Sequence, residues 1–203
     1  MTLKTVIVAL LSLLAGNALA TDSAAVRADA AGSDKGAQQE RAVEPIINYL
    51  SYGPTFASAG QPTEAQLEQQ AAAGVEQVVY LAFSDQDRSL AHEDRLVRSL
   101  GMRYLHIPVD FQAPQRQEYE LFAAAMALAP EANTLLHCQV NFRATAFAML
   151  YRVLELGVPL AEAKAAMNSV WTPNTVWTEF LLDVLGHYGI DPQCDGCDWT
   201  PAE

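Results

Sequence analysis

The chain has 203 residues, 51% hydrophobic and 18% charged, with 24 Asp and Glu against 12 Lys and Arg and a formal net charge of −12. That length suits one globular domain with extensions, large enough to bury a core without staples. The acid excess excludes a nucleic-acid surface and an anionic-lipid surface, which both need clustered Lys and Arg, and the composition excludes collagen, a disulfide-dense miniprotein and a wholly disordered chain.

Residues 1–20 read as a signal peptide. Lys4 supplies the positive start, Val6 to Ala15 is apolar except for Ser12, and Ala18-Leu19-Ala20 offers small residues for cleavage before Thr21. The apolar run is shorter than the roughly 20 residues a bilayer span needs, so no stable membrane insertion is expected after cleavage. The expected location is periplasmic or secreted, where cysteines meet oxidising conditions. Residues 21–44 are rich in Ala, Gly, Ser, Asp and Gln without hydrophobic periodicity and read as a flexible polar linker. The folded domain is expected over residues 45–190, followed by an acidic tail, 191–203, that carries a C-x-x-C pair.

Within the domain, Ile46 to Tyr52 is a strand candidate. Thr63 with Gln66 forms a capping box that opens a helix, and Gly74 stops it. Val75 to Phe83 is β-branched and apolar, as in a buried parallel strand. Leu90, Leu96, Val97 and Leu100 share a helical face that ends at Gly101. Tyr104 to Val109 is the next strand, and Leu121, Phe122, Ala125 and Met126 mark a helix. Thr134 to His137 is a short strand running into Cys138. A helix from about Arg143 to Gly157 follows, then one carrying Ala163, Met167 and Val170 and another carrying Val176, Phe180, Leu181, Val184 and Leu185. Strands alternating with helices predict an α/β fold: a central, mostly parallel sheet flanked by helices, with extra helices at the C-terminal end.

The stretch His137-Cys138-Gln139-Val140-Asn141-Phe142-Arg143-Ala144-Thr145 places a cysteine at the carboxyl end of a strand and an arginine where a helix begins. Ligands of open parallel sheets sit at such strand ends. Backbone N–H groups at a helix start cradle an anion, and the same positive end with Arg143 would stabilise a thiolate. A guanidinium grips two oxygens of an oxyanion. A small anionic or phosphorylated substrate follows, and no metal or other cofactor is expected. His106 reads as structural, and His92 and His187 as exposed or capping.

The run HCQVNFRA resembles the phosphate-binding loop of cysteine-dependent phosphatases, in the protein tyrosine and dual-specificity phosphatase-like superfamily. With SAGQPTEAQLEQQAAAGVEQVVYL and HEDRLVRSLGMRYLHIPVDFQAP, it resembles the phosphatase-like domain of the beta-lactamase-hydrolase-like (Blh) proteins over about residues 45–170. The resemblance implies that Cys138 is the nucleophile and forms a thiophosphate. Arg143 would bind the transferred group and Asp110 would act as general acid. Gln139, Val140, Asn141 and Phe142 would form the binding loop with Arg143, with His137 and Thr145 in support.

The loop departs from the usual phosphatase pattern. It has four residues between Cys and Arg, one fewer than usual and closer to the tighter loop of rhodanese-type sulfurtransferases, in which the cysteine carries a persulfide. Asn141 stands at the usual glycine position, where it tolerates positive φ. Ala144 replaces the usual hydroxyl residue, with Thr145 one place later. A rhodanese-like sulfurtransferase is therefore the alternative, consistent with the link of Blh proteins to sulfide handling; a non-catalytic anion-binding or sensor domain is the third. In the tail, Cys194 and Cys197 lack a second ligand pair nearby for zinc. A local disulfide is the default, and exchange of one of these thiols with Cys138 is the sharper option.

Overall fold

The computed structural model describes residues 44–202. The expected signal peptide, and all but the last residue of the expected linker, lie outside the described residues.

The elements, in chain order, are β1 (Leu50–Ser51), β2 (Phe56–Ala59), α1 (Glu64–Ala72), β3 (Gln77–Tyr80), α2 (Glu93–Ser99), β4 (Arg103–His106), α3 (Arg116–Ala127), β5 (Thr134–His137), α4 (Phe142–Leu154), α5 (Leu160–Asn168) and α6 (Thr175–His187). Among the described residues the five strands form one sheet in the order β1-β2-β5-β3-β4. The β2–β5, β5–β3 and β3–β4 pairs are parallel, and only β1–β2 is antiparallel. The α/β expectation is met, and β5 lies at the centre with a parallel neighbour on each side.

Alternation along the strands divides the core between the two faces. Ala57, Val78 and Leu135 pack with Leu67 of α1 and Val97 of α2. Val79 and Leu136 face a larger cluster with Phe122 of α3, Phe147 and Leu150 of α4, Met167 of α5 and Leu181 of α6. Both faces of the sheet are covered, so β2, β3 and β5 are buried at every residue, as central strands of a parallel sheet are. Trp177 of α6 is fully buried in the larger cluster. No helix among the described residues is long and apolar enough to cross a membrane.

Local chemistry explains several boundaries. Thr63 caps α1, with its hydroxyl accepting from Gln66 N and its own N–H donating to the Gln66 side chain, and Gly74 follows at φ +89°. The Ile46–Tyr52 strand expectation is corrected: only Leu50–Ser51 is extended and paired. Asn48, at φ 49°, turns the chain and uses its side-chain N–H on Val140 O. Phe56–Ala59 had no sequence assignment yet supplies a sheet strand. Leu121, expected on the buried face of α3, is 60% exposed, and Tyr119 is buried in its stead.

The C-terminal segment is anchored. Ala202 N donates to Pro173 O at 2.9 Å, and Lys164 Nζ lies 4.8 Å over the Trp199 ring. Cys194 and Cys197 are joined in a disulfide, whereas Cys138 is a buried free cysteine.

Candidate active site

The carboxyl end of β5 carries His137 and Cys138, both fully buried. Cys138 N donates to Ala59 O of the neighbouring strand β2, and Leu81 N, just past β3, donates to His137 O. The cysteine is thus held from both sides. The chain then turns through Gln139–Asn141 into α4. Asn141 takes φ 72°, a left-handed conformation that Asn tolerates better than most residues, and its side-chain N–H donates to Asn48 O. Gly60 passes close to this turn, since a Cβ there would lie 3.1 Å from Gln139 O and 2.9 Å from Ile47 Cβ. Gln61 N completes the contact by donating to Gln139 O at 3.2 Å.

The side chains of the turn are tied down individually. Gln139 Nε2 donates to Tyr80 Oη and Ser89 Oγ at 3.0 and 3.2 Å, and its Oε1 accepts from Arg88 N. Phe142 stacks on Trp171 with centroids 4.6 Å apart and planes within 4°. Trp171 Nε1 donates to Thr145 Oγ1 at 3.0 Å, and that hydroxyl lies 2.9 and 3.1 Å from Asn141 O and Phe142 O. Thr145 therefore braces the turn from within α4. The backbone N–H groups of Gln139, Val140, Phe142 and Arg143 have no protein acceptor among the described residues, and those of a helix's first turn have no intrahelical partner to use.

Arg143 is 5% exposed. Its Nε donates to Val109 O at 3.0 Å and its guanidinium lies 5.1 Å from the Phe111 ring centroid. Among the described residues no carboxylate is in salt-bridge range of it, and neither terminal nitrogen has a hydrogen-bond acceptor. Arg152, buried on the same helix, has Nη2 2.7 Å from Glu162 Oε1. A buried cation without a counter-ion is costly, so Arg143 is a positive fork, oriented and open to an anion.

Asp110 follows Val109, whose carbonyl anchors Arg143, and is exposed. Its carboxylate accepts from Gln112 N at 2.9 Å. Glu118 in α3 was not singled out by the sequence. Burial raises its carboxyl above the ordinary range and the Asp110 charge adds to this, while the Gln115 N–H bond and the Arg143 charge oppose it.

Behind Cys138 lies a buried polar cluster that local sequence does not reveal. His137 stacks on Tyr80 at 4.7 Å, and Tyr80 stacks in turn on His106 at 5.0 Å. His106 Nε2 lies 2.7 Å from Ala82 O, in keeping with a structural role. Glu93, in the first turn of α2 and 3% exposed, has Oε1 3.3 Å from His137 Nε2 and 2.9 Å from Gln61 Nε2. Its Oε2 accepts from Tyr104 Oη at 3.3 Å. Burial holds His137 down at about 3 and raises Glu93 to about 7. His92 and His187 are exposed and stand apart from this cluster.

No family model and no curated protein sequence matches the chain. Solved structures do. A DUF442 protein of Shewanella putrefaciens CN-32, a candidate phosphatase, is 33% identical with a TM-score of 0.65, over 71% of this chain and 95% of that one. Kinase associated phosphatase, with serine at its catalytic-site cysteine, is 13% identical with a TM-score of 0.60, over 73% and 98%. TpbA of P. aeruginosa in complex with phosphotyrosine is 21% identical with a TM-score of 0.52, over 74% and 89%. The last two are alike in fold alone. With a cysteine at the end of the central strand and an unpaired arginine opening the next helix, the chain shares its fold with protein-tyrosine-phosphatase-like structures and belongs to the DUF442 family of phosphatase-like proteins.

Proposed function

We propose that the mature chain is an exported phosphatase that hydrolyses a small phosphoester through a thiophosphate on Cys138. We take it to be akin to the phosphatase-like domain of the Blh proteins, within the cysteine-dependent phosphatase-like superfamily, on the three sequence blocks around Gln61, His92 and Cys138. The observation that carries the reading is the unpaired, buried Arg143 beside a turn whose N–H groups lack protein acceptors. Four N–H groups and a guanidinium fork suit a phosphoryl group, whose charge spreads over three oxygens as it transfers.

In the first step the Cys138 thiolate attacks phosphorus, the bond to the leaving oxygen breaks, and Asp110 gives that oxygen a proton. In the second, water attacks the thiophosphate, Asp110 takes the water's proton, and the S–P bond breaks to return thiolate and phosphate. Arg143 and the turn hold the equatorial oxygens in both steps. With a formal charge near −13 once Lys4 leaves with the signal peptide, the surface repels polyanions, and a small substrate fits best.

The test sets p-nitrophenyl phosphate against thiosulfate plus cyanide, using mature protein and Cys138→Ser. Phosphate release that vanishes in Cys138→Ser supports the reading. Cysteine-dependent thiocyanate formation without phosphate release replaces it with sulfur transfer. Neither activity, with phosphate still bound, leaves an anion-binding or sensor domain.

A further inference from the structure

The C-x-x-C pair is a motif that the two-step reaction does not use. Its disulfide closes a turn whose tip, Asp195 and Gly196, is exposed. Cys197 N donates to Cys194 O at 2.9 Å, and Trp199 folds back on the same turn with Nε1 donating to Pro192 O at 2.9 Å. The Trp199 ring packs against the larger core cluster and covers Lys164 of α5, which is 3% exposed. Ala202, three residues on, bridges Asn174 and donates its N–H to Pro173 O. Residues 191–202 thus run as a strap from beyond the end of α6, past α5, to the loop that precedes α6.

That loop, residues 171–174, reaches the candidate site by two routes. Trp171 stacks on Phe142 and donates to Thr145 Oγ1, the hydroxyl that braces the anion-binding turn. Asn174 caps α6 by accepting from Trp177 N at 3.1 Å, and Trp177 Nε1 donates to Phe111 O at 2.9 Å. Phe111 follows Asp110 and lies under the Arg143 guanidinium. One short loop therefore contacts the brace of the turn and, through Trp177, the segment that bears the proposed acid. Packed contacts of this kind carry coupling when the element they hang on has two arrangements. The strap meets that condition. It is docked through Trp199 and Ala202, and a segment with so few anchors opens at low cost. A cross-link within it lowers the entropy of the undocked form and so favours docking.

We propose that residues 191–202 are a strap that positions the anion-binding turn through the 171–174 loop, and that the Cys194–Cys197 disulfide locks it, so that turnover responds to a dithiol reductant. One thiolate of the dithiol attacks a sulfur of the Cys194–Cys197 bond, and its second thiol resolves the mixed disulfide. Two electrons and two protons pass to the cysteines, and the reductant leaves as a disulfide. Exchange with a disulfide oxidant runs the same steps in reverse and relocks the strap. The proposal rests on the phosphatase reading only for its kinetic readout.

The experiment compares mature wild type with the double variant Cys194→Ser/Cys197→Ser and with Trp199→Ala, each before and after dithiothreitol. It reads kcat and KM for p-nitrophenyl phosphate beside amide hydrogen exchange of the peptides covering 139–145 and 171–174. Intact mass after thiol labelling in denaturant counts the free cysteines. Dithiothreitol should speed wild-type exchange over 171–174 about tenfold, the order expected for opening so short a loop. It should lower kcat about threefold with KM nearly constant, as a loss of positioning does. The double variant should start at the reduced wild-type values and ignore the reductant. Trp199→Ala should show the same fall in kcat with its disulfide intact.

Equal kcat and equal exchange in oxidised wild type and the double variant would overturn the proposal. So would a response of the double variant to dithiothreitol as large as that of wild type, because it would place the effect on Cys138. Faster exchange over 171–174 with unchanged kcat would refute the positioning of the turn. Faster exchange over both peptides without phosphate turnover in any sample would sink the phosphatase reading and leave the strap standing.

Discussion

Replacing Thr145 by Val keeps shape and volume but deletes the hydroxyl that braces the anion-binding turn. That oxygen accepts from Trp171 Nε1 at 3.0 Å and lies within 3.1 Å of two turn carbonyls, at a residue only 1% exposed. The substitution strands the indole N–H and removes one donor from the carbonyl pair. A partly buried polar group left unpaired costs about 1–3 kcal/mol. Taking about 2 kcal/mol, a domain of this size should lose about 4–8 °C in Tm. The stack of Phe142 on Trp171 survives, so the turn should loosen without dissolving, and kcat should fall about three- to tenfold. Thermal unfolding and steady-state kinetics measure both. Trp171→Phe removes the same N–H while keeping an aromatic ring, and the double variant should show a coupling of about 1 kcal/mol. A stability loss below about 0.5 kcal/mol, or strictly additive variants, would refute the brace.

Two further outcomes follow from buried charge. Arg143→Met should lower kcat about 10²–10³-fold by removing the transition-state fork, yet leave the fold as stable as wild type or up to about 2 kcal/mol more so, because an unpaired buried cation is lost; chemical denaturation checks this, and marked destabilisation would show that Arg143 is structural. The pH dependence of stability should be two-sided. Glu93, raised from 4.5 to about 7, favours the fold fully below pH 4.5, and that contribution is lost as pH rises to about 7, amounting to about 3 kcal/mol. His137, depressed from 6.5 to about 3, favours the fold fully above pH 6.5, and its contribution is lost as pH falls through about 3. Denaturation of Glu93→Gln across this range should abolish the neutral-side loss and keep the acid-side one.

What the sequence disclosed was local in origin. The β5 strand, the Cys138 turn and the start of α4 lie within a dozen residues, and a strand, a left-handed Asn and a helix start each leave a nearby signature. The same holds for the Thr63 capping box. The Phe56–Ala59 strand was illegible because Ala and Ser carry little β preference, and its pairing with β5 is a long-range choice. The Ile46–Tyr52 run was misread because its apolar residues outweighed Asn48, whose turn is completed by Val140 and Asn141 some 92 and 93 positions away. Glu93, Tyr80 and Trp171 escaped notice for the same reason. Each meets the site only through tertiary contact, and a Glu at a helix start or a Trp in a loop has no distinguishing spacing. Leu121 shared a helical stripe with Phe122 and Met126, but the groove α3 covers is filled by Tyr119 and Phe122, which leaves Leu121 outside.

The most direct measurement is acid-quenched intact mass of the protein during turnover of p-nitrophenyl phosphate, with the modified peptide located by fragmentation. A phosphoryl adduct of about 80 Da on Cys138, absent from Cys138→Ser and accumulating in Asp110→Asn if the acid-base assignment holds, is the expected result. Phosphate release at an undiminished rate from Cys138→Ser, or an adduct on any other residue, would contradict it.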